Sequence, residues 1–216
     1  MGKKITIGLT TEVSKHYYIA IKGVIERVAG IIPGFEFRVV GPNSCGHLPQ
    51  SKNATEIVQS CFKILGIKEA AVDTSKVFEI INDVLNRPLN DECLILITGQ
   101  EILQNETEKC YIASNGTDGV ISLADCQKAS QIDATLEVLL IQMLARIGMR
   151  IGPCDSDQFC LRKPIPYGES GAIMDALRKT ANATNIGDLF CEECRPYVEK
   201  WVNKNPPSTV TYALFT

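Results

Sequence analysis

Histidine is nearly absent: His16 and His47 are the only two in 216 residues. A metal site built on three imidazoles is excluded by that count. Also missing is any apolar run near the roughly 20 residues that a helix needs to cross a bilayer. The opening Met1-Gly2-Lys3-Lys4-Ile5-Thr6-Ile7-Gly8 turns into a strand pattern too soon for a signal peptide. A cytoplasmic location is the resulting expectation. The chain lacks a concentrated basic patch: 22 Lys and Arg are scattered among 25 Asp and Glu, for a net charge of −3. Nucleic acids and anionic membranes are bound by clustered cations that displace counterions, so neither is an expected partner. A glycine-rich phosphate loop is missing too. Ile97-Thr98-Gly99-Gln100 follows a strand but offers one glycine and no lysine.

Cysteine is plentiful, with nine in the chain. An odd number without a signal peptide points to reduced thiols rather than a disulfide framework. Cys45, Cys61, Cys93, Cys110 and Cys126 show no paired spacing. The other four do. Cys154 and Cys160 form a Cys-x5-Cys loop, and Cys191-Glu192-Glu193-Cys194 forms a Cys-x2-Cys knuckle just before a segment, Arg195 to Trp201, that can be helical. Two short thiolate loops make a tetrahedron, and Zn²⁺, a d¹⁰ ion, accepts that geometry. Four thiolates close the sphere against water, so one structural zinc on Cys154, Cys160, Cys191 and Cys194 is expected. Two alternatives are free buried thiols and a redox pair of Cys191 with Cys194. The redox pair lacks a preceding βαβ strand and any basic residue between its thiols. Asn-x-Ser/Thr triplets at Asn53, Asn105, Asn115 and Asn182 would accept glycans only in a secreted chain and are read as chance.

With 45% apolar and 22% charged residues, the chain has the composition of a globular protein. Lys4 to Thr10 alternates as a strand, Ser14 to Ala29 has helical spacing with Ser14 as N-cap, and Phe35 to Val40 alternates again after Pro33-Gly34. The chain therefore opens β-α-β. Helices are predicted over Ala54 to Leu65 and over Ser75 to Asn86, the second capped by Ser75. Cys93 to Thr98 is a continuous apolar run, the pattern of a central strand buried on both faces. Cys110 to Ala113 and Gly119 to Leu123 are shorter strand candidates. Gln131 to Met149 is the longest apolar helix pattern, with too many apolar positions for one stripe, so it should lie deep in the core. From Gly152 the texture changes to Pro, Gly, Asp and Cys, with a short helix predicted near Ser170 to Thr180. The expected organisation is an α/β domain over residues 1–151 and a zinc-binding subdomain held by four cysteines over 152–216.

This order of elements, with Gly119-Val120-Ile121-Ser122-Leu123, the long helix and the cysteine tetrad, resembles the archaemetzincins, a family of zinc metallopeptidase-like proteins. The resemblance implies a metzincin-like twisted mixed sheet with packing helices. It also implies a helix carrying His-Glu-x-x-His-x-x-Gly shortly before the first cysteine. Laid back from Cys154, the family's helix histidines fall on Met143 and Ile147, its glutamate on Leu144, its glycine on Arg150 and its third ligand on Pro153. None matches. Leu161 and Arg162 stand where the family has a methionine, and the stretch from Cys160 to Cys191 is longer than the family pattern by about half. A catalytic zinc needs three protein ligands and an open position, with a glutamate to take the proton from bound water. The resemblance thus implies a pseudoenzyme that keeps the structural zinc, has no catalytic residues, and binds a protein or peptide partner along the former cleft.

The competing reading is an active zinc metallopeptidase or hydrolase with atypical ligands, for which Asp155, Asp157 and Glu137 are the carboxylates at hand. Cys45 and His47 could give two ligands to another metal, but no partner pair stands near them. Asp155, Asp157 and Glu169 otherwise read as solvated loop residues. Tyr17, Tyr18 and Tyr167 read as packing residues or surface anchors.

Overall fold

The computed structural model describes residues 2–40, 71–85, 92–126, 129–152 and 154–212. Cys45, His47, Cys61, the helix expected over Ala54 to Leu65 and Pro153 lie outside the described residues. From the N-terminus the chain runs β1 (Lys3–Leu9), α1 (Thr11–Ile31), β2 (Phe35–Val40), β3 (Val72–Asp73), α2 (Thr74–Leu85) and β4 (Glu92–Thr98). Next come β5 (Ile102–Gln104), β6 (Glu108–Cys110), β7 (Ile112–Ser114), β8 (Gly119–Ser122) and α3 (Ala129–Met143), which continues into a π-turn over Leu144–Gly148. A helix α4 (Ser170–Asn182), a 3₁₀ turn (Ile186–Leu189), α5 (Arg195–Lys204) and β9 (Thr209–Tyr212) complete it.

Among the described residues, six strands form the main sheet in the order β7-β8-β4-β1-β2-β9, and β3-β5-β6 form a smaller one. β1 is parallel to both neighbours, with Ile5 opposite Phe37 on one side and Cys93 on the other. Among the described strands of the main sheet only β7 runs antiparallel, so the sheet is mixed. The continuous apolar run of β4 is explained by its two covered faces. Cys93, Ile95 and Ile97 point into one hydrophobic cluster with α1 and α3, while Leu94 and Leu96 point into another with Val77 and Ile81 of α2. Period-two alternation assigns each residue to its side.

α1 starts three residues before the expected Ser14, with Thr10 as its N-cap, because the apolar spacing already begins at the buried Val13. Ser75 likewise falls inside α2. Its backbone N–H and hydroxyl both donate to Asp73 Oδ1, at 3.0 and 2.8 Å, so the aspartate takes the capping role. The strand expected over Cys110 to Ala113 is divided at Tyr111, where the chain passes from the smaller sheet to the main one. The C-terminal strand β9 has no counterpart in the sequence reading. It pairs parallel with β2, Phe37 opposite Val210, and thereby returns the last residues to the main sheet.

α3 is buried as expected: Ile132, Leu136, Leu139, Leu140 and Met143 have no exposed surface. It packs on α1, and Arg27 of α1 reaches Asp133 at 3.5 Å and Glu137 at 2.9 Å across the helix pair. The turn after α1 is clamped by α5. Gly34 has φ +95°, and a Cβ there would lie 2.6 Å from Asn205 Cβ, so both the backbone angle and the close approach require glycine. Trp201 donates its indole N–H to Pro33 O at 2.8 Å and stacks on Phe35 with ring centroids 5.3 Å apart. Ser208 Oγ donates to Ile32 O at 2.6 Å and accepts from Phe35 N–H at 2.9 Å.

Candidate metal centre

Cys154, Cys160, Cys191 and Cys194 are brought together: their sulfurs all lie within 4.8 Å of one another, and all four side chains are buried. Cys191 and Cys194 sulfurs are 3.3 Å apart, and Cys154 and Cys191 sulfurs 3.5 Å. A tetrahedral zinc–thiolate site with bonds near 2.3 Å separates its sulfurs by about 3.8 Å, so the donor set fits that ion in number, type and spacing. Local backbone chemistry holds the knuckle. Cys194 N–H and Arg195 N–H both donate to Cys191 O, at 3.0 and 2.9 Å, and Cys194 then serves as N-cap of α5 with Pro196 in the first turn. The positive end of that helix favours a thiolate at this position. The opposite loop is tied in by Leu161 N–H donating to Leu189 O at 3.0 Å, and Gln142 of α3 donates its side-chain amide to Lys163 O. The cysteines share one hydrophobic cluster with Leu189, Phe190, Val198 and the core of the main sheet.

Four buried thiols beside one another cannot all ionise without a cation. Burial and the neighbouring sulfurs push the Cys194 thiol up, and burial pushes Cys160 up. Burial acts the same way on Cys191, but hydrogen bonds from Cys194 and the other sulfurs outweigh it and draw that thiol down to about 6. Arg162 is the residue the sequence reading missed here. Its Nη1 donates to Cys194 Sγ at 2.8 Å from a side chain only 8% exposed. A guanidinium offsets part of the charge that four thiolates carry beyond a divalent ion. Its place two residues after Cys160 was the available signal.

Three of the positions where the resemblance would put catalytic residues are filled with packed side chains. Met143, Leu144 and Ile147 have no exposed surface. A Cβ on Gly119 of β8 would overlap the Met143 sulfur, and one on Gly148 would lie 2.7 Å from the Phe35 ring. The helix widens here into its π-turn, with Met149 N–H donating to Leu144 O at 2.8 Å. Lys3 Nζ donates to the carbonyls of Ile147 and Gly148, at 2.8 and 3.2 Å, and so satisfies groups that a helix end leaves open. Arg150, at the family's glycine position, is exposed with φ +54°.

The other candidates are dispersed. Glu137 is engaged by Arg27, Asp155 and Asp157 are exposed, and His16 lies on the exposed side of α1. Among the described residues the tetrad is the one group of three or more His, Cys, Asp or Glu whose ligand atoms converge. Tyr167 is half-buried, its hydroxyl 3.0 Å from Glu101 Oε1 and 3.1 Å from Asp125 Oδ1. No helix among the described residues is long and apolar enough to cross a membrane.

No family profile and no curated protein matches this chain. Among solved structures, the archaemetzincin from Methanopyrus kandleri aligns over 94% of this chain and 97% of its own, at 13% identity with a TM-score of 0.54. The archaemetzincin from Archaeoglobus fulgidus, crystallised with malonate, aligns over 90% and 99% at 13% identity with a TM-score of 0.49. The alignment with the Methanopyrus kandleri structure is nearly full length on both sides, and the chain has an archaemetzincin-like fold.

Proposed function

We propose that this chain is a non-catalytic, zinc-stabilised protein of archaemetzincin-like fold that works in the cytoplasm by binding a protein or peptide. The observation that carries this reading is the contrast between two places. The four cysteines converge with the spacing of a closed thiolate site, while Met143, Leu144 and Ile147 fill the helix positions where a peptidase would need ligands and base. Cys154, Cys160, Cys191 and Cys194 would hold one Zn²⁺, whose chemistry there is structural cross-linking. The residues themselves do the rest: the knuckle sets the start of α5, α5 carries Trp201 to the β1-α1-β2 turn, and β9 follows onto the sheet edge.

Two measurements on purified protein test the reading together. Elemental analysis should give one zinc per chain, and peptidase assays on unstructured peptides should show no turnover with or without added metal. Two zincs per chain together with chelator-sensitive cleavage would instead favour an active hydrolase with atypical ligands.

A further inference from the structure

A cleft of about 530 Å³ lies between the strands β6 and β7, the π-turn and the loop around Ile165. That volume falls in the range of about 300–1,000 Å³ common for ligand sites. Ile112, Ile151 and Ile165 give it apolar walls, and Tyr111 and Tyr167, with ring centroids 4.8 Å apart, close one side. Arg146, projecting from the π-turn while Leu144, Ala145 and Ile147 are buried around it, supplies its charge.

Arg146 is half-buried, and none of the ion pairs or hydrogen bonds among the described residues uses it. Burial pulls its pKa down, as desolvation does to a cation, with Cys110 opposing. Cys110 offers no compensating charge at neutral pH, because burial and Glu108 push its thiol up to about 11. Lys109, also in the lining, is already paired with Glu101 at 2.8 Å, and Glu108 is exposed at the rim. A desolvated guanidinium without a partner is costly, and an incoming anion relieves that cost. Among the described residues, β6 ends the smaller sheet and β7 ends the main one. Backbone donors and acceptors on such edges can pair with an extended chain.

We propose that this cleft binds the C-terminal carboxylate of an extended peptide with an apolar last residue. Arg146 takes the carboxylate in a forked hydrogen bond, the isoleucine walls take the last side chain, and a strand edge pairs with the preceding backbone. The assignment rests on the peptide-binding reading above and gives it a ligand class and a place.

The test uses the full chain and hexapeptide pools ending in Leu or Phe, each made as free acid and as C-terminal amide, with binding read by fluorescence anisotropy. The acids should bind, and the amides should bind about tenfold or more weakly, since a hydrogen bond to a charged group is at stake. Arg146→Gln should bring the acids down to the amide level, while Arg146→Lys should keep part of the preference. The acid–amide comparison on the unaltered protein needs no variant to fold. Equal binding of acid and amide would overturn the carboxylate assignment and leave peptide binding standing. Binding of neither at millimolar concentration would overturn both, while zinc content and the peptidase assay still decide the non-catalytic reading separately. Displacement by acetate as effective as by the free-acid peptides would reduce the site to one for simple anions and sink the peptide assignment.

Discussion

Arg162 Nη1 lies 2.8 Å from Cys194 Sγ, and this hydrogen bond joins the loop of the first cysteine pair to the knuckle of the second. The contact crosses the tetrad, so it both orients a ligand and balances its charge. Partners of this kind, outside the ligand sphere, typically change metal affinity by about 10–100-fold when removed. Arg162→Met should therefore keep one zinc per chain but lose it to a competing chelator at an affinity about tenfold weaker. Arg162→Lys should fall between the two. Unchanged affinity in Arg162→Met would show the contact to be packing alone.

Removing a ligand should be more severe. Cys191→Ser or Cys194→Ser is expected to lower zinc content and to cost about 4 kcal/mol or more, the scale of losing a bound metal. For a chain of this length that is roughly 8–16 °C in Tm. Complete zinc loss with an unchanged melting curve would remove the structural role.

Acidification should release the same ion, and the sign follows from the thiols. A bound metal holds each thiol pKa below its unfolded value, so its stabilisation is complete above the ordinary thiol range and is lost as pH falls through the lowered values. Release should therefore begin well below the ordinary thiol range, followed by a dye that reports free zinc. Release beginning near pH 8 would mean that the thiols are not ligands.

The tetrad, the β-α-β opening and the buried strand β4 were legible because each is written locally, in close cysteine spacings or in a run of six apolar or β-branched residues, Cys93 to Thr98. What was not legible depends on distant parts of the chain. Nothing in Thr209–Tyr212 announces that it will extend the sheet beside β2, since a four-residue edge strand with alternate residues exposed has no strong pattern. The π-turn is equally silent: Leu144–Gly148 reads as more helix, and the widened turn is fixed by Lys3 from β1 and by Phe35 against Gly148. That turn aims Arg146 at the cleft, which helical periodicity carried straight through would not have placed.

Catalysis gives a sharp expectation. With Leu144 at the position of the proton acceptor and no imidazole on α3, unstructured peptides should not be cleaved in a chelator-sensitive way, even with Zn²⁺ or Co²⁺ added. Reproducible turnover abolished by chelator and restored by metal would overturn this.

The packing of Met143, Leu144 and Ile147 can be tested by trying to reverse it. Met143→His, Leu144→Glu and Ile147→His combined would put two imidazoles and a carboxylate into a region with no exposed surface. Met143 also has Gly119 directly against its sulfur, so an imidazole there meets a backbone that has no room to move aside cheaply. Polar groups buried without full partners cost about 1–3 kcal/mol each by protein mutational measures, and the removed apolar contacts add to that. The triple variant should be destabilised by several kcal/mol on the scale of core disruptions, and its zinc content should stay at or below one per chain. Chemical denaturation and elemental analysis measure the two quantities independently. A variant as stable as the unaltered protein and holding a second zinc would mean that the region opens readily to polar groups, and the reading of Met143, Leu144 and Ile147 as a packed core would fail.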